Sequence, residues 1–321
     1  LYQTCGDPAF LDRMKFCFEW LTDNRSRAFR GFCWGNHFDY QSRGGNIPKG
    51  APTIVWTGLI SHAFLDAYEA FGDERYLAIA KSACDLILDE LGWMELDEGV
   101  CLRYYPDADI LIHNSSMIGA SLLARVNSLS PVARYREMAD RAVQFTVHHQ
   151  TEKGGWYYGV GEKWAWIDSF HSAYVLEALH TFCRCTGSTR YQESLRRGYT
   201  FFIETFFKPD GTPRYYDRKT LPIDIQCASQ AIQTLINLRD LHPDSVPTAL
   251  RVAKWTIANM QDKTGYFYYR KYPLITNKTP TLHWGQATMF AALALLDQFL
   301  SRKDNGVNSL TAPVQSPAAL R

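Results

Sequence analysis

Gly187-Ser188-Thr189-Arg190-Tyr191 decides the fold, because two earlier stretches read alike: Gly72-Asp73-Glu74-Arg75-Tyr76 and Pro131-Val132-Ala133-Arg134-Tyr135. The three Arg-Tyr pairs stand 59 and 56 residues apart. Such a period marks a chain built from stacked copies of one supersecondary unit. Each pair opens a segment with apolar residues at helical spacing, the first set being Tyr76, Ile79, Ala80, Ala83 and Ile87.

Two further series keep the period. Tyrosine pairs occur at Tyr104-Tyr105, Tyr157-Tyr158, Tyr215-Tyr216 and Tyr268-Tyr269, spaced by 53, 58 and 53 residues. Each follows a turn holding glycine, which supplies the positive φ such turns need. Phe38-Asp39-Tyr40 reads as a degenerate first member. Apolar helices rich in small residues begin near Thr53, Ile112, Asp168, Asp224 and Leu282. Helices that are apolar nearly all round are buried.

The unit is therefore outer helix, aromatic loop, inner helix. The patterning predicts outer helices near 8–23, 73–90, 131–149, 188–206 and 246–261, and inner helices near 53–71, 112–128, 167–186, 223–240 and 282–300. This is an all-α chain, an (α/α)5 toroid or, as the alternative, an incomplete (α/α)6, with short strands in the loops. A closed ring is expected over an open solenoid because the inner helices are too apolar to line a solvated concave face. Residues 1–302 read as one toroid domain. Residues 303–321 lose the period, carry Pro313 and Pro317, and read as a disordered, dispensable tail.

Composition narrows the function. A net charge of +1 over 321 residues gives no electrostatic footprint for nucleic acid. No apolar run is long enough to cross a membrane. Eight scattered cysteines read as reduced, mostly buried thiols, which favours a cytoplasmic location, with a periplasmic one open if a leader preceded Leu1. Cys183 and Cys185 are too close together for a C-x-x-C pair. Phosphate-loop, dinucleotide, H-E-x-x-H and G-x-S-x-G motifs are absent from the sequence. Cys227 alone stands near an inner-helix start, so neither a metal nor another cofactor is expected. His148-His149 ends an outer helix and reads as surface.

If the inner helices run parallel, one face collects their N-termini, with unpaired N–H groups and positive dipole ends. The same face receives the aromatic loops and the arginines. Asp168, His171, Asp224, Asp39 and His113 are the catalytic candidates. Substrate contacts are expected from Trp34, Gln41 and Arg43 in the first loop, and from Arg103, Tyr104 and Asn114 in the second. Tyr158 and Trp166 follow in the third, then Arg214, Tyr216 and Gln226 in the fourth. The fifth supplies Tyr269, Arg270, His283, Trp284 and Gln286.

Any one Asp here is an ordinary N-cap, and as a cap alone Asp168 would tolerate Asn within about 1 kcal/mol. Any one His is an ordinary half-buried residue. Four of five repeats, however, place Asp or His at one structural level, and capping does not explain the histidines. Asp168 and His171, three apart, share a helix face. Asp39, Asp168, Asp224, His113 and Trp284 are expected around one cavity. Adjacent tyrosines in an extended loop point to opposite sides, one packing inward and one facing the cleft. Aromatic rings beside hydrogen-bonding groups suit an oligo- or polysaccharide, and arginines favour one that carries carboxylates.

Four stretches carry a family likeness. Gly31-Phe32-Cys33-Trp34-Gly35-Asn36-His37-Phe38-Asp39-Tyr40-Gln41-Ser42-Arg43 resembles a signature of VpsJ-like bacterial polysaccharide biosynthesis proteins. Ile167-Asp168-Ser169-Phe170-His171-Ser172, Pro222-Ile223-Asp224-Ile225-Gln226 and Trp284-Gly285-Gln286-Ala287-Thr288-Met289-Phe290 are similar to its other motifs. The resemblance spans about residues 10–300. It departs at Asn36-His37, where the family has an aromatic-Pro pair, and at Gln226, where it has His. It implies exopolysaccharide metabolism and a superfamily shared with toroidal glycosidases, polysaccharide lyases and epimerases, without fixing a reaction.

Three classes of function follow. The first is a glycan-processing enzyme. Its chemistry is either β-elimination or C5-epimerisation of a uronate, using His171, His113, Asn114, Arg43 and a loop tyrosine, or hydrolysis between Asp168 and Asp224 or Asp39. The second is a non-catalytic glycan-binding subunit of an exopolysaccharide assembly. The third is a terpenoid-cyclase-like toroid, from Gln150 with Gly155-Trp156 and Gln261 with Gly265-Tyr266. Arginines in the cleft argue against the third, and the first is carried forward.

Overall fold

The structure, a computed structural model, describes residues 1–42 and 45–304. Its helices are α1 (Tyr2–Cys5), α2 (Ala9–Asp23), α3 (Ile54–Phe71), α4 (Glu74–Leu86), α5 (His113–Leu129), α6 (Ala133–His148), α7 (Ser169–Thr186), α8 (Gln192–Phe206), α9 (Ile225–Asn237), α10 (Ser245–Met260) and α11 (Thr288–Asp304). From α2 onward they fall in turn where the period predicts outer and inner helices, and every helix it predicts is present. π-helical turns extend α4 through Ile87–Leu91 and precede α11 at Leu282–Ala287. Helix α11 runs two residues into the expected tail, whose remainder lies outside the described residues.

Strands are short and confined to the loops. β1 (Tyr40–Ser42) pairs antiparallel with β2 (Gly45–Ile47), and β3 (Trp93–Leu96) with β4 (Gly99–Leu102). β5 (Ile223–Asp224), β6 (Arg270–Lys271) and β7 (Thr276–Asn277) form a three-stranded antiparallel sheet in that order, with Asp224 opposite Arg270.

Two compact units are distinguished. One comprises Asp7–His148 with Thr181–Thr189, and the other Leu1–Gly6, His149–His180 and Arg190 onward. In the first, α3 packs on α4 and α5, and α5 on α6. Phe64, Leu65, Leu86, Leu122 and Phe145 are fully buried there. In the second, α9 packs on α10 and α11, and Leu176, Phe202, Phe206, Ile232 and Leu235 are fully buried. All eight cysteines are free thiols: Cys33, Cys84, Cys101, Cys183 and Cys227 are buried, Cys185 is half-buried, and Cys5 and Cys17 are exposed. Not every apolar helix is covered. Phe16 and Trp20 on α2 and Phe290 on α11 are exposed.

The tyrosine series has a main-chain purpose. At three inner-helix starts the first N–H donates to a carbonyl of the tyrosine pair in the following repeat. Ile54 donates to Tyr104 at 2.9 Å, Ser169 to Tyr215 at 2.9 Å and Ile225 to Tyr269 at 3.1 Å. Each bond satisfies one of the N–H groups that a helix start leaves orphaned. The expected division into an inward and an outward tyrosine is not what is found. All eight side chains are at least partly exposed, and the structural half of the pair is a carbonyl.

The turn glycines also do more than supply φ. Gly154 (φ 97°) and Gly211 (φ 91°) sit against the next outer helix, where an added Cβ would lie 2.6 Å from the Arg197 carbonyl oxygen and 2.4 Å from that of Arg251. Gly265, in the last repeat, keeps the backbone form (φ 104°) with open space around it.

Candidate functional site

In the second unit, the start of α7 carries a buried carboxylate and a histidine locked together. Asp168 is 2% exposed. Its Oδ1 accepts the His171 backbone N–H at 2.9 Å, which is the helix-capping bond the sequence leads one to expect. Its Oδ2 binds His171 Nδ1 at 2.7 Å and accepts Trp166 Nε1–H at 2.9 Å. Both oxygens are therefore occupied and the side chain is wholly covered, while the His171 side chain is 21% exposed. Because Oδ2 is a carboxylate acceptor, Nδ1 is the protonated nitrogen of the neutral ring, and Nε2 carries the lone pair.

Aromatic rings surround this histidine. Tyr158 lies 4.4 Å from the His171 ring and stacks on Trp166 at 4.6 Å and 13°. Trp164 flanks both Tyr158 and Trp166. The Tyr158 N–H donates to the Trp166 carbonyl at 2.8 Å, so the chain doubles back and holds the stack. Trp166 lies two residues before Asp168 in extended chain, on the same side, which is why its indole N–H reaches the carboxylate.

A second buried carboxylate caps α9. Asp224 Oδ1 accepts the Gln226 N–H at 2.8 Å, and Oδ2 takes Arg270 Nε at 2.8 Å and Nη2 at 2.6 Å. Strand pairing of β5 with β6 brings the two residues together. Burial raises the Asp224 carboxyl pKa above its ordinary value, against the downward pull of Arg270 and the cap bond, and Asp168 pushes the same way as burial. Both carboxylates act on Tyr215. Burial, then the charge of Asp168, then Cys227 and Asp224 hold its hydroxyl protonated far above the ordinary phenol range. The Cys227 thiol is pushed up by burial and by Asp224. Arg270 stands over the rings of Tyr269 at 4.8 Å and Tyr215 at 5.5 Å.

The other candidates of this unit divide. Tyr216 lies opposite Asp168 in an isolated antiparallel bridge. The Gln226 side chain hydrogen-bonds Tyr174, whose hydroxyl burial pushes up to about 12. His283 and Trp284 rest ring against ring at 4.1 Å, and burial lowers the His283 pKa. Gln286 is a brace: its Oε1 and Nε2 bind the Phe267 N–H and carbonyl, each at 2.8 Å. Arg214 is half-buried, with its Nε covered.

The five residues expected around one cavity fall in both units, Asp39 and His113 in the first and Asp168, Asp224 and Trp284 in the second. Within the first unit, Asp39 is exposed and accepts the Lys49 N–H at 2.8 Å, which closes its own loop. Gln41 pairs with Asn46 across β1 and β2, and Arg43 lies outside the described residues. Arg103 Nη1 donates to the Ala108 carbonyl at 2.7 Å, and the Tyr104 ring meets Tyr105 edge-on at 6.1 Å. His113 is buried, stacked on Phe145 at 5.0 Å, and Asn114 is buried beside it. Trp34 corrects the reading outright. It is a core residue, 2% exposed, packed on Phe64, with its indole N–H satisfied by the Leu21 carbonyl at 2.8 Å. Tyr215, Trp164 and Phe170, whose ring lies 3.9 Å from that of His171, were not among the sequence candidates. The first was visible as the unchosen half of its pair.

No family model matches the chain, and no curated protein does either. Solved structures do. The chain is similar to cellobiose 2-epimerase from Bacillus thermoamylovorans, with a TM-score of 0.68 and 12% identity over 94% of this chain and 84% of that one. A possible GH105 member from Salmonella enterica gives 0.65 and 12% over 93% and 80%. An inactive variant of the alpha-1,6-mannanase GH76A of Salegentibacter sp., in complex with alpha-1,6-mannotriose, gives 0.63 and 13% over 92% and 85%. At such identities the likeness shows the fold, the (α/α) toroid class read from the repeat. The VpsJ-like resemblance rests on the four motifs alone. Among the described residues no group of three or more His, Cys, Asp or Glu is placed to hold a metal, and no helix is long and apolar enough to cross a membrane.

Proposed function

We propose that this chain is a sugar-processing enzyme that moves a proton at a sugar carbon, as an epimerase, isomerase or lyase does, with His171 Nε2 as the base. The observation that carries this reading is the 2.7 Å contact of His171 Nδ1 with the buried Asp168 carboxylate. A carboxylate so placed fixes the tautomer and orientation of the ring and stabilises the imidazolium that forms on proton abstraction. Tyr158 and Trp166 offer the apolar face of a pyranose a stacking surface beside the base. Tyr215, held neutral, is a hydrogen-bond donor at any physiological pH.

Hydrolysis is the weaker reading of the same residues. It requires two carboxyl groups with oxygens free to reach the leaving group and a water. All four oxygens of Asp168 and Asp224 already accept protein donors, and the side chains are 0% and 5% exposed. The carbohydrate epimerases, isomerases and glycosidases that share the fold support sugar as the substrate class. The four VpsJ-like motifs support a place in bacterial exopolysaccharide metabolism.

The test is incubation in D2O with a panel of neutral and acidic oligosaccharides. Carbon-bound deuterium, a new epimer or a new double bond, abolished by His171→Gln, is the expected outcome. Reducing ends released without deuterium uptake would move the assignment to hydrolysis, and binding without turnover of any sugar would leave a glycan-binding protein.

A further inference from the structure

We infer that this site selects neutral sugars and turns away uronates, because Asp224 has already taken the cation that a uronate carboxylate would need. The inference rests on the reading of the site as one that binds sugar. It reverses the expectation that loop arginines favour an acidic glycan. That expectation counts arginines in the sequence, whereas recognition depends on those with free donors.

Arg270 presents Nε and Nη2, one edge of its fork, to a single oxygen of Asp224, and its side chain is only 23% exposed. The charges that act on the Cys227 thiol in this cluster are Asp224, Asp168 and Arg270. Two carboxylates, Asp168 and Asp224, thus stand against the one guanidinium of Arg270. An incoming carboxylate meets a like charge and a guanidinium with one edge already bonded to Asp224. A hydroxymethyl group in the same position meets neither difficulty, and the stacking surface of Tyr158 and Trp166 serves both sugars equally. Discrimination therefore comes from Asp224 acting on Arg270.

Asp224→Asn reads this directly. Asn caps a helix as well as Asp does, so the start of α9 is kept. The substitution releases Arg270 and removes the excess negative charge in one step. The probes are matched oligosaccharides that differ only at C6, hydroxymethyl or carboxylate, in gluco, galacto and manno configuration. Isothermal titration calorimetry on the full chain measures each pair. The wild type is expected to bind the neutral member at least tenfold more tightly, about 1.4 kcal/mol. Asp224→Asn is expected to narrow that ratio at least fivefold. Adding Arg270→Gln to Asp224→Asn is expected to lose the gain for the uronate.

A wild type that binds the uronate as tightly as its neutral partner, or more tightly, overturns the inference and leaves the proposed enzyme standing. A ratio unchanged in Asp224→Asn, with the melting temperature showing a folded protein, overturns the role given to Asp224. Should Asp224→Asn fail to fold, the wild-type ratio alone decides. Binding of no member of any pair overturns the sugar-site reading beneath the inference as well.

Discussion

Replacing Asp168 with Asn separates a helix cap from a histidine-orienting carboxylate. A cap would pass the change almost unnoticed, because Asn accepts the His171 N–H as well as Asp does. The structure adds two further contacts on the other oxygen, and these change the expected magnitude. An amide nitrogen in the place of Oδ2 cannot accept the Trp166 indole N–H, now 2.9 Å away, and a buried donor is left unpaired. That costs about 1–3 kcal/mol, more than the 1 kcal/mol a bare cap implies. The same amide nitrogen donates to His171 Nδ1 and so drives the ring proton onto Nε2, where the base must be empty. Loss of base function and of the compensating charge lowers turnover by roughly 10²–10⁴. Denaturant unfolding gives the first quantity. Turnover gives the second, and nitrogen chemical shifts of the His171 ring report the tautomer. Wild-type turnover, or an unchanged tautomer with no loss of stability, would refute the orienting role and return Asp168 to a plain cap.

Other outcomes follow from the geometry. Trp166→Phe keeps a ring against Tyr158 but removes one donor from Asp168. With one contact fewer to hold the carboxylate against His171, turnover should fall more than sugar affinity does; turnover at the wild-type rate would mean the indole N–H orients nothing. Gly154→Ala meets both a positive φ and a carbonyl 2.6 Å from the new Cβ, whereas Gly265→Ala meets the φ strain alone. Melting curves should show Gly154→Ala as clearly the more damaging, and equal losses would contradict the close approach. His62, in the first unit, is held neutral by burial and by the charges of Arg125 and Arg184, with its pKa lowered to about 3. An unfolded His takes a proton near pH 6.5, so this group's contribution to stability is intact above that pH and drains away as pH falls towards 3. The stability advantage of wild type over His62→Gln should shrink across that window, and a constant difference would show that His62 titrates normally.

The elements that sequence alone predicts are those with a periodic side-chain signal. Helix starts follow from the Arg-Tyr and small-residue series because burial of one face imposes that spacing. Asp168 and His171 were legible for a similar reason, since three residues along a helix is one face. Three features were not legible. The pairing of Asp224 with Arg270 spans 46 residues and depends on the register of two-residue strands, which no periodicity encodes. The bonds from inner-helix starts to tyrosine carbonyls involve main-chain atoms, which any residue supplies. Trp34, set among glycines and polar residues, reads as a loop aromatic. Only the Leu21 carbonyl, thirteen residues earlier, reveals that its polar edge is satisfied inside the core.

The carbonyl bonds between one repeat and the next have an evolutionary corollary. Because the peptide backbone does the fastening at Tyr104, Tyr215 and Tyr269, the join itself makes no demand on which side chain is attached there. Loop side chains can therefore be exchanged among homologues, or by an engineer, without undoing the join. A lineage built this way can drift from one sugar to another while its architecture stands still.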